Sequence, residues 1–225
     1  MLPIAILLFA AAEAAYDVRP APAQRAELLS GRDRAWTPAK TVTWGAKPYT
    51  TQFRALWNNS GLFVRFDVED ASPWHTMTRR DQQLWDEEVV EIFIDVEGQG
   101  RNYAEVEVNP ANVVCDLRMV SGEPKKKGEI EWDFSGLQTR TFRNDTGWTA
   151  LLFMPWSGFR ALSPAAAAMK LPHEGGPPWR FNVFRIERPG GPSAPARDAV
   201  FAAWSPTGKA SFHVPAAFRV MQFVR

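Results

Sequence analysis

The chain has 225 residues, of which 45% are hydrophobic, so it is long enough to bury a substantial core as one large β domain. Its 26 basic residues are balanced by 25 acidic ones, and the net charge of +1 gives no electrostatic reason to expect nucleic acid or an anionic membrane as a partner. Cys115 is the only cysteine in the sequence, which excludes an internal disulfide.

The first 15 residues have the pattern of an export signal. The apolar run that begins at Met1 is too short to cross a bilayer. Ala12-Glu-Ala14 matches the small-x-small pattern at which signal peptidase cleaves. We therefore predict that residues 1–15 are a signal peptide and that residues 16–225 form a single exported domain, periplasmic or extracellular, with no membrane insertion. An ordinary apolar strand or helix at the N-terminus is the alternative.

The next segments alternate between irregular chain and strand. Residues 16–34 contain Pro20, Pro22 and Gly31, and we expect them to run along the outside of the domain. Residues 52–57 and 62–68 alternate around the turn Asn58-Asn-Ser-Gly61, which predicts a β-hairpin. Residues 70–88 lack a strand pattern but are rich in aromatic side chains, so this long loop is predicted to be functional.

The strand that follows this loop organises the rest of the prediction. In Val89-Val-Glu-Ile-Phe-Ile-Asp95, the residues at even positions are apolar and belong to the core, whereas Glu91, Phe93 and Asp95 lie on the other face. Residues 103–109 repeat the alternation, with Glu105, Glu107 and Asn109 on that outer face. The outer face is expected to meet water or a ligand.

Further strands are predicted at 113–120, 179–186 and 199–204, and a final segment at 212–224. Residues 141–143 and 148–154 flank the turn Asn144-Asp-Thr-Gly147, which predicts a second β-hairpin. Only residues 161–170 have a pattern that permits a helix. Many short strands separated by glycine and proline favour an all-β, antiparallel β-sandwich, jelly-roll-like, with little helix.

The motifs now described resemble carbohydrate-binding modules of family 9. The resemblance extends from about residue 52 to the C-terminus and includes Trp85, the strand from Glu91 to Asp95, Glu107-Val-Asn109, Trp204-Ser-Pro and Phe212. Its most specific element is the tryptophan placed six residues before Glu91. The resemblance implies a non-catalytic β-sandwich that binds the end of an oligo- or polysaccharide and acts in polysaccharide recognition or catabolism, often in association with glycanases.

The resemblance also implies roles for individual residues. Trp85 corresponds to the first of two aromatic rings that hold the sugar, and Phe212 stands where the second ring, usually tryptophan, is found. Glu91 corresponds to the glutamate that accepts hydrogen bonds from sugar hydroxyls. Glu107, just before Val108-Asn109, replaces an arginine of the family, and Lys209 replaces an asparagine. We predict a carbohydrate site made of Trp85, Glu91, Glu107, Asn109, Lys209 and Phe212.

The chemistry of these residue types supports the same interpretation. A pyranose has an apolar face of C–H groups and a rim of hydroxyls, so its binder needs an aromatic platform with fixed polar groups at the edge. Trp85, Glu91 and Glu107 would meet if the two strands pair, since all three lie on or beside one face. Lys209 would then neutralise Glu107.

Other functions remain open from the sequence. Glu91 and Glu107 are a possible acid and base pair for a glycoside hydrolase, although nothing in the strand pattern indicates that either is desolvated. A third reading is an interaction domain that has lost its sugar site.

Cofactor chemistry has weaker support. His75, His173 and His213 are scattered, without metal-site spacing, and no Met and His pair suggests heme ligation. A structural calcium ion is conceivable on the carboxylates of Asp67, Glu69, Asp70 and Asp95, although no calcium-loop motif is present.

Overall fold

A computed structural model describes residues 15–121, 126–171 and 178–225. Residues 1–14 of the predicted signal peptide and His173 lie outside these ranges. The strands are β1 Tyr16–Pro20, β2 Thr41–Trp44, β3 Thr51–Asn58, β4 Gly61–Glu69, β5 Val89–Asp95, β6 Tyr103–Val108, β7 Val114–Ser121, β8 Lys126–Glu129, β9 Gln138–Asn144, β10 Gly147–Pro155, β11 Trp179–Glu187, β12 Val200–Ala203 and β13 Arg219–Phe223. The α-helices are α1 Arg25–Leu28, α2 Trp156–Arg160 and α3 Pro164–Ala167, and the 3-10 helices are Asp33–Trp36, Leu84–Asp86, Ala196–Asp198 and Pro215–Ala217.

The strands form two sheets that share β1. In what we call sheet A, the order is β8-β7-β6-β5-β11-β13-β1, with β12 beside β11. In sheet B the order is β1-β3-β4-β10-β9, with β2 beside β3. All pairings except the two made by β1 are antiparallel. The predicted antiparallel β-sandwich with little helix is therefore confirmed.

Both hairpins predicted from turn chemistry are present. β3 and β4 pair around the turn with Asn58 opposite Gly61, and β9 and β10 pair with Asn144 opposite Gly147. The Asn58 side chain stabilises the first turn, because it accepts a hydrogen bond from the Ser60 backbone N–H at 2.8 Å. An asparagine at this place fixes the reversal and with it the register of both strands.

The main core lies between the inner faces of the two sheets. Val64 and Phe66 of β4 belong to the same buried cluster as Ile92 and Ile94 of β5. Aromatic rings join the sheets directly, since the ring centroids of Phe53 and Phe181 are 5.6 Å apart. The alternation predicted for the inner faces is thus observed. At about 25 cal/mol per Å² of apolar surface removed from water, this interface supplies most of the driving force for folding.

The expectation that residues 16–34 lie on the outside was wrong for their first part. Tyr16 and Val18 are fully buried, and β1 pairs in parallel with β13 through Tyr16–Val18 and with β3 through Arg19 and Pro20. The Tyr16 hydroxyl donates to the Lys40 carbonyl oxygen and accepts from the Ala55 backbone N–H. An apolar residue at every second position is enough for a short inner strand, and Pro20 simply ends it.

The outer faces of the sheets are covered as well. On sheet B, Phe63 and Leu151 form a second cluster with Leu28 and Trp36 of the segment 21–39. On sheet A, a third cluster combines strand residues with two covering segments, and its buried members are Leu84, Val89, Phe93, Tyr103, Cys115, Leu117, Met119, Phe184, Ile186 and Phe218. The outward side chains of the strands are therefore largely shielded from water, and the acids among them are buried too.

No helix in the described part of the chain is long and apolar enough to cross a membrane.

Candidate functional site

A cavity of about 1150 Å³ opens on the outer face of sheet A. It lies between the end of the loop 70–88 and the segment 206–213, and it is lined by both. Five of the six residues predicted to bind a sugar line this cavity, namely Trp85, Glu91, Glu107, Lys209 and Phe212. Residues far apart in the sequence therefore meet in one concave site, which is the usual form of a small-ligand site.

Trp85 is held half-buried at the cavity wall by the loop that carries it. Its neighbour Leu84 is fully buried in the cluster under the loop. The Glu87 carboxylate accepts hydrogen bonds from the backbone N–H groups of Thr76 at 2.8 Å and Met77 at 3.1 Å. These contacts tie the end of the loop to its middle, so the indole is positioned without being buried in the core.

Two phenylalanines form a second aromatic part of the cavity lining. Phe212 stacks on Phe184, with ring centroids 4.3 Å apart and an interplanar angle of 18°. Phe201 contacts Phe212 edge to face at 5.9 Å and is 61% exposed. Such exposure of a phenylalanine beside a cavity is the kind of surface that an apolar ligand face covers.

The segment that carries Phe212 is anchored to sheet A at both ends. The Asn182 side chain donates to the Ser205 carbonyl oxygen at 2.8 Å and accepts from the Ser205 N–H at 3.0 Å. At the other end, Nδ1 of His213 lies 2.9 Å from the Tyr103 hydroxyl, and the imidazole stacks on Phe93 at 5.2 Å. The cavity wall is thus fixed by side-chain contacts and not by strand pairing.

Three glutamates form the polar floor of the cavity. The register of β5 and β6 places Glu91 opposite Glu107 and Phe93 opposite Glu105. One carboxylate oxygen from each of Glu91, Glu105 and Glu107 lies within 4.8 Å of the other two. The three residues are only 2%, 4% and 0% exposed, respectively. Glu105 was on the predicted outer face but was not singled out as a candidate.

Burial changes the ionisation of these acids. Burial, and then the charge of Glu105, raise the pKa of Glu91 well above its ordinary value. Burial, followed by the charges of Glu91 and Glu105, does the same to the pKa of Glu107. Burial raises the pKa of Glu105 to about 8, although a hydrogen bond with Glu107 lowers it in part. The strand pattern gave no sign of this desolvation, because it arises from covering segments that remove water from the outer face.

The remaining predicted site residues differ in placement. Lys209 is exposed at the cavity wall, and among the described residues it forms no ion pair with Glu107, so the predicted neutralisation is not observed. Asn109 is fully buried and does not line the cavity. Its side chain accepts from the N–H groups of Ala111 and Val113 and donates to the Met77 carbonyl oxygen. Asn109 therefore shapes the turn after β6.

A second group of acids surrounds a buried arginine. Asp70, Glu88 and Glu187 have carboxylate oxygens within 4.8 Å of one another. The Arg185 guanidinium binds Asp70 at 3.2 Å and is also paired with Glu187. Burial raises the pKa of Glu88 to about 8. A hydrogen bond from the Trp74 N–H lowers this pKa in part, and the charge of Asp70 raises it further. Arg185 therefore supplies one positive charge to this group of three acids.

The other carboxylates considered for calcium have different partners. Asp67 is paired with Arg65 at 2.8 Å, and Glu69 accepts a hydrogen bond from Thr50. The Asp95 carboxylate accepts hydrogen bonds from backbone N–H groups of the turn that follows β5. The predicted set of four acids does not converge on one point within the described ranges.

Comparison with known proteins finds a family model and a relative that match this chain. The model of the family described as carbohydrate family 9 binding domain-like matches residues 32–171. A protein from Arthroderma benhamiae named "Extracellular protein" is 25% identical over 192 residues, which cover 79% of this chain and 81% of that protein.

Solved structures agree with the fold. A putative carbohydrate-binding protein from Bacteroides uniformis superposes with a TM-score of 0.69 at 16% identity, over 93% of this chain and 99% of that one. A carbohydrate binding module of family 9 from Caldicellulosiruptor kristjanssonii, solved in complex with cellotriose, gives a TM-score of 0.63 at 15% identity, over 94% and 95% of the two chains. A family 9 module from the same organism, solved in complex with glucose, gives a TM-score of 0.62 at 14% identity, over 92% of this chain and 95% of that one. The family match spans more than half of the sequence, and the chain belongs to the carbohydrate family 9 binding domain-like family.

Proposed function

We propose that this protein is a non-catalytic module that binds an oligo- or polysaccharide in the cavity on the outer face of sheet A. A sugar ring packs between Trp85 and the pair Phe201 and Phe212, and Glu91 accepts hydrogen bonds from its hydroxyls. The observation that carries the proposal is the meeting of exposed aromatic rings and buried carboxylates in one cavity. Membership of a carbohydrate-binding family and the sugar-bound structures of similar modules support it.

The geometry argues against hydrolysis at the same site. A glycosidase needs two carboxyl groups on opposite sides of the scissile bond, about 5 Å apart or more, and at least one of them must be ionised. Here Glu91 and Glu107 stand opposite each other on adjacent strands of one floor, so both carboxyls face a bound sugar from the same side. Burial raises the pKa of both carboxyls, which disfavours the ionised form that a nucleophile or base requires. Binding without reaction is the function that these residues support.

We infer that the protein is exported, with residues 1–15 as the signal and residues 16–225 as one domain. The name of the Arthroderma relative, "Extracellular protein", supports this location. A module of this kind would serve enzymes that degrade glycans outside the cytoplasm, by keeping them near their substrate. Neither nucleic acid nor membrane lipid is expected to bind.

Isothermal titration of the full chain with a panel of gluco-, xylo-, manno- and amino-oligosaccharides tests the proposal. Trp85→Ala should weaken binding by about 10- to 100-fold, because it removes one stacking surface and its buried area. Phe201→Ala should have a smaller effect in the same direction, with little loss of stability. Trp57→Ala is the matched control, since Trp57 is also half-buried but belongs to sheet B and does not line the cavity.

Loss of binding in the Trp57 variant equal to that in the Trp85 variant would contradict the site. Absence of binding to every glycan of the panel would favour the interaction domain without a sugar site. Sugar release during prolonged incubation, abolished by Glu107→Gln, would favour the hydrolase.

A further inference from the structure

The floor of the cavity has acceptors but no donors to match them. Oε1 of Glu91, Oε2 of Glu105 and both oxygens of Glu107 are buried and accept no hydrogen bond from a donor group of the described residues. One carboxylate oxygen of Glu105 lies within 4.8 Å of one of Glu107. Nδ1 of His213 approaches Glu105 at 3.7 Å from the rim. Buried acceptors without donors are costly, so a group that donates to them binds with a large gain.

Acidic side chains outnumber permanently charged basic ones in the lining of the cavity. Asp86 adds a fourth acid to the lining, whereas Arg188 and Lys209 are the permanently charged bases that line it. Both bases lie in the more accessible part of the lining, and no ion pair connects either of them to the three glutamates within the described ranges. A ligand with only hydroxyl groups would leave this floor without a counter-charge.

We propose that the cavity selects a saccharide that carries a protonated primary amine, such as an oligomer of a 2-amino-2-deoxy sugar, with its ammonium group on the glutamates 91, 105 and 107. This inference rests on the proposed function and names the class of sugar. A primary ammonium has three N–H donors and no acceptor, and the floor offers one carboxylate for each donor. Charge-assisted hydrogen bonds of this kind are about twice as strong as neutral ones.

The aromatic walls fit the same ligand. A sugar ring whose amine reaches the floor brings its C–H face against the indole of Trp85 or the exposed ring of Phe201. Aromatic faces also attract organic cations. A calcium ion would take six to eight oxygen ligands, and three carboxylates from two adjacent strands supply only one side of such a shell. The floor therefore matches an ammonium group better than a bare metal ion.

Binding requires the floor to lose protons. Because burial raises the pKa values of the three acids, the free cavity favours their protonated forms, and an ammonium ligand that binds carboxylates displaces these protons to the buffer. The neighbouring titratable groups are Asp86 and His213 at the rim, and Tyr103 of β6 and Cys115 of β7 within sheet A. The permanent charges of Arg188 and Lys209 lie in the same lining. Proton release is a signature that a neutral sugar does not produce.

The test is titration calorimetry of the full chain at pH 6.5 with three trisaccharides of equal length: the glucosamine trimer, its fully N-acetylated form, and cellotriose. We expect the amine to bind about 100-fold more tightly than either neutral trimer, which is the change expected for one or two charge-assisted hydrogen bonds. Repetition in buffers of different ionisation enthalpy should show proton release with the amine alone. Glu107→Gln should reduce the preference at least about tenfold. Glu27→Gln, an exposed surface change, should leave it intact.

Each contrary result has a distinct meaning. Equal affinities for the three trimers, with binding still lost in Trp85→Ala, would overturn this inference and leave the proposed function in place. Absence of binding by all three trimers and by the wider glycan panel would overturn both. A preference that persists in both Glu107→Gln and Glu91→Gln would remove the glutamates from the explanation. Binding of neutral trimers that requires added CaCl₂ or MnCl₂ would assign the floor to a metal ion and would also overturn the inference.

Discussion

Replacement of Glu107 by glutamine should stabilise the fold at pH 8 and leave it almost unchanged at pH 5. Glu107 is completely buried, its carboxyl oxygens lack donors among the described residues, and burial with two neighbouring acids raises its pKa. An unfolded glutamate titrates near about 4.3, so between that pH and the folded pKa the native state holds protons that the unfolded state has released. The free energy of unfolding therefore falls as the pH rises through this window.

Glu105 sets the scale of the effect. Its folded pKa of about 8 lies well above the unfolded value, and a gap of this size corresponds to a cost on the order of 5 kcal/mol by pH 8 if the group acted alone. Relaxation and water entry reduce such costs, and glutamine removes only one ionisable member of the three. We expect a gain of about 2 kcal/mol at pH 8, which raises the Tm by about 4–8 °C for a domain of this size.

Differential scanning calorimetry at pH 5 and pH 8 measures this gain. Glu27→Gln is the matched control, because Glu27 is exposed. Its free energy of unfolding should change by less than about 0.5 kcal/mol at either pH. An equal Tm shift for Glu107→Gln at both pH values would mean that packing and not ionisation is responsible. A lower Tm at pH 8 would refute the reasoning altogether.

Two further predictions concern the supports of the cavity. Asn182→Ala removes two hydrogen bonds with Ser205 and one that the Val183 N–H donates. We expect the free energy of unfolding, measured by urea titration, to fall by about 3 kcal/mol, and amide exchange over residues 205–213 to become faster. Arg185→Met leaves Asp70 and Glu187 without their cation and should cost about 3–5 kcal/mol at pH 7, measured by the same urea titration. Addition of Asp70→Asn to the arginine variant should recover part of that loss, and failure to recover any would exclude the ion pair as the cause.

The sequence predicted the inner half of this structure well. Alternation of apolar residues identified the core faces of β4 and β5, and turn residues identified both hairpins, because each signal is local in the chain. The family resemblance identified Trp85, Glu91 and Phe212, which line one cavity, although their contact with a sugar stays a prediction.

The outer half depended on contacts that no local pattern contains. The strand pattern showed Glu105 and Glu107 facing away from the core, but their burial comes from the segment 206–213, which joins them from more than 90 residues away. Phe201 was missed for a similar reason. Its position, three residues before the inward-facing Trp204, indicates the outer face, but its exposure at the cavity follows only from the packing of Phe212. Asn109, in contrast, has the sequence context of a turn, which its hydrogen bonds confirm as its structural role.

The parallel pairing of β1 has a consequence for the order of events during synthesis. β1 follows directly on the leader that we propose, yet it hydrogen-bonds to β13, and the Trp57 indole donates to the carbonyl oxygen of Val224. While the ribosome is still translating the middle of the gene, one edge of the emerging N-terminal strand therefore has no neighbour to pair with. Sheet A, which contains β13, closes only after this last strand has left the exit tunnel. A chain that postpones folding in this way remains threadable, which is the condition in which a secretion channel accepts its cargo.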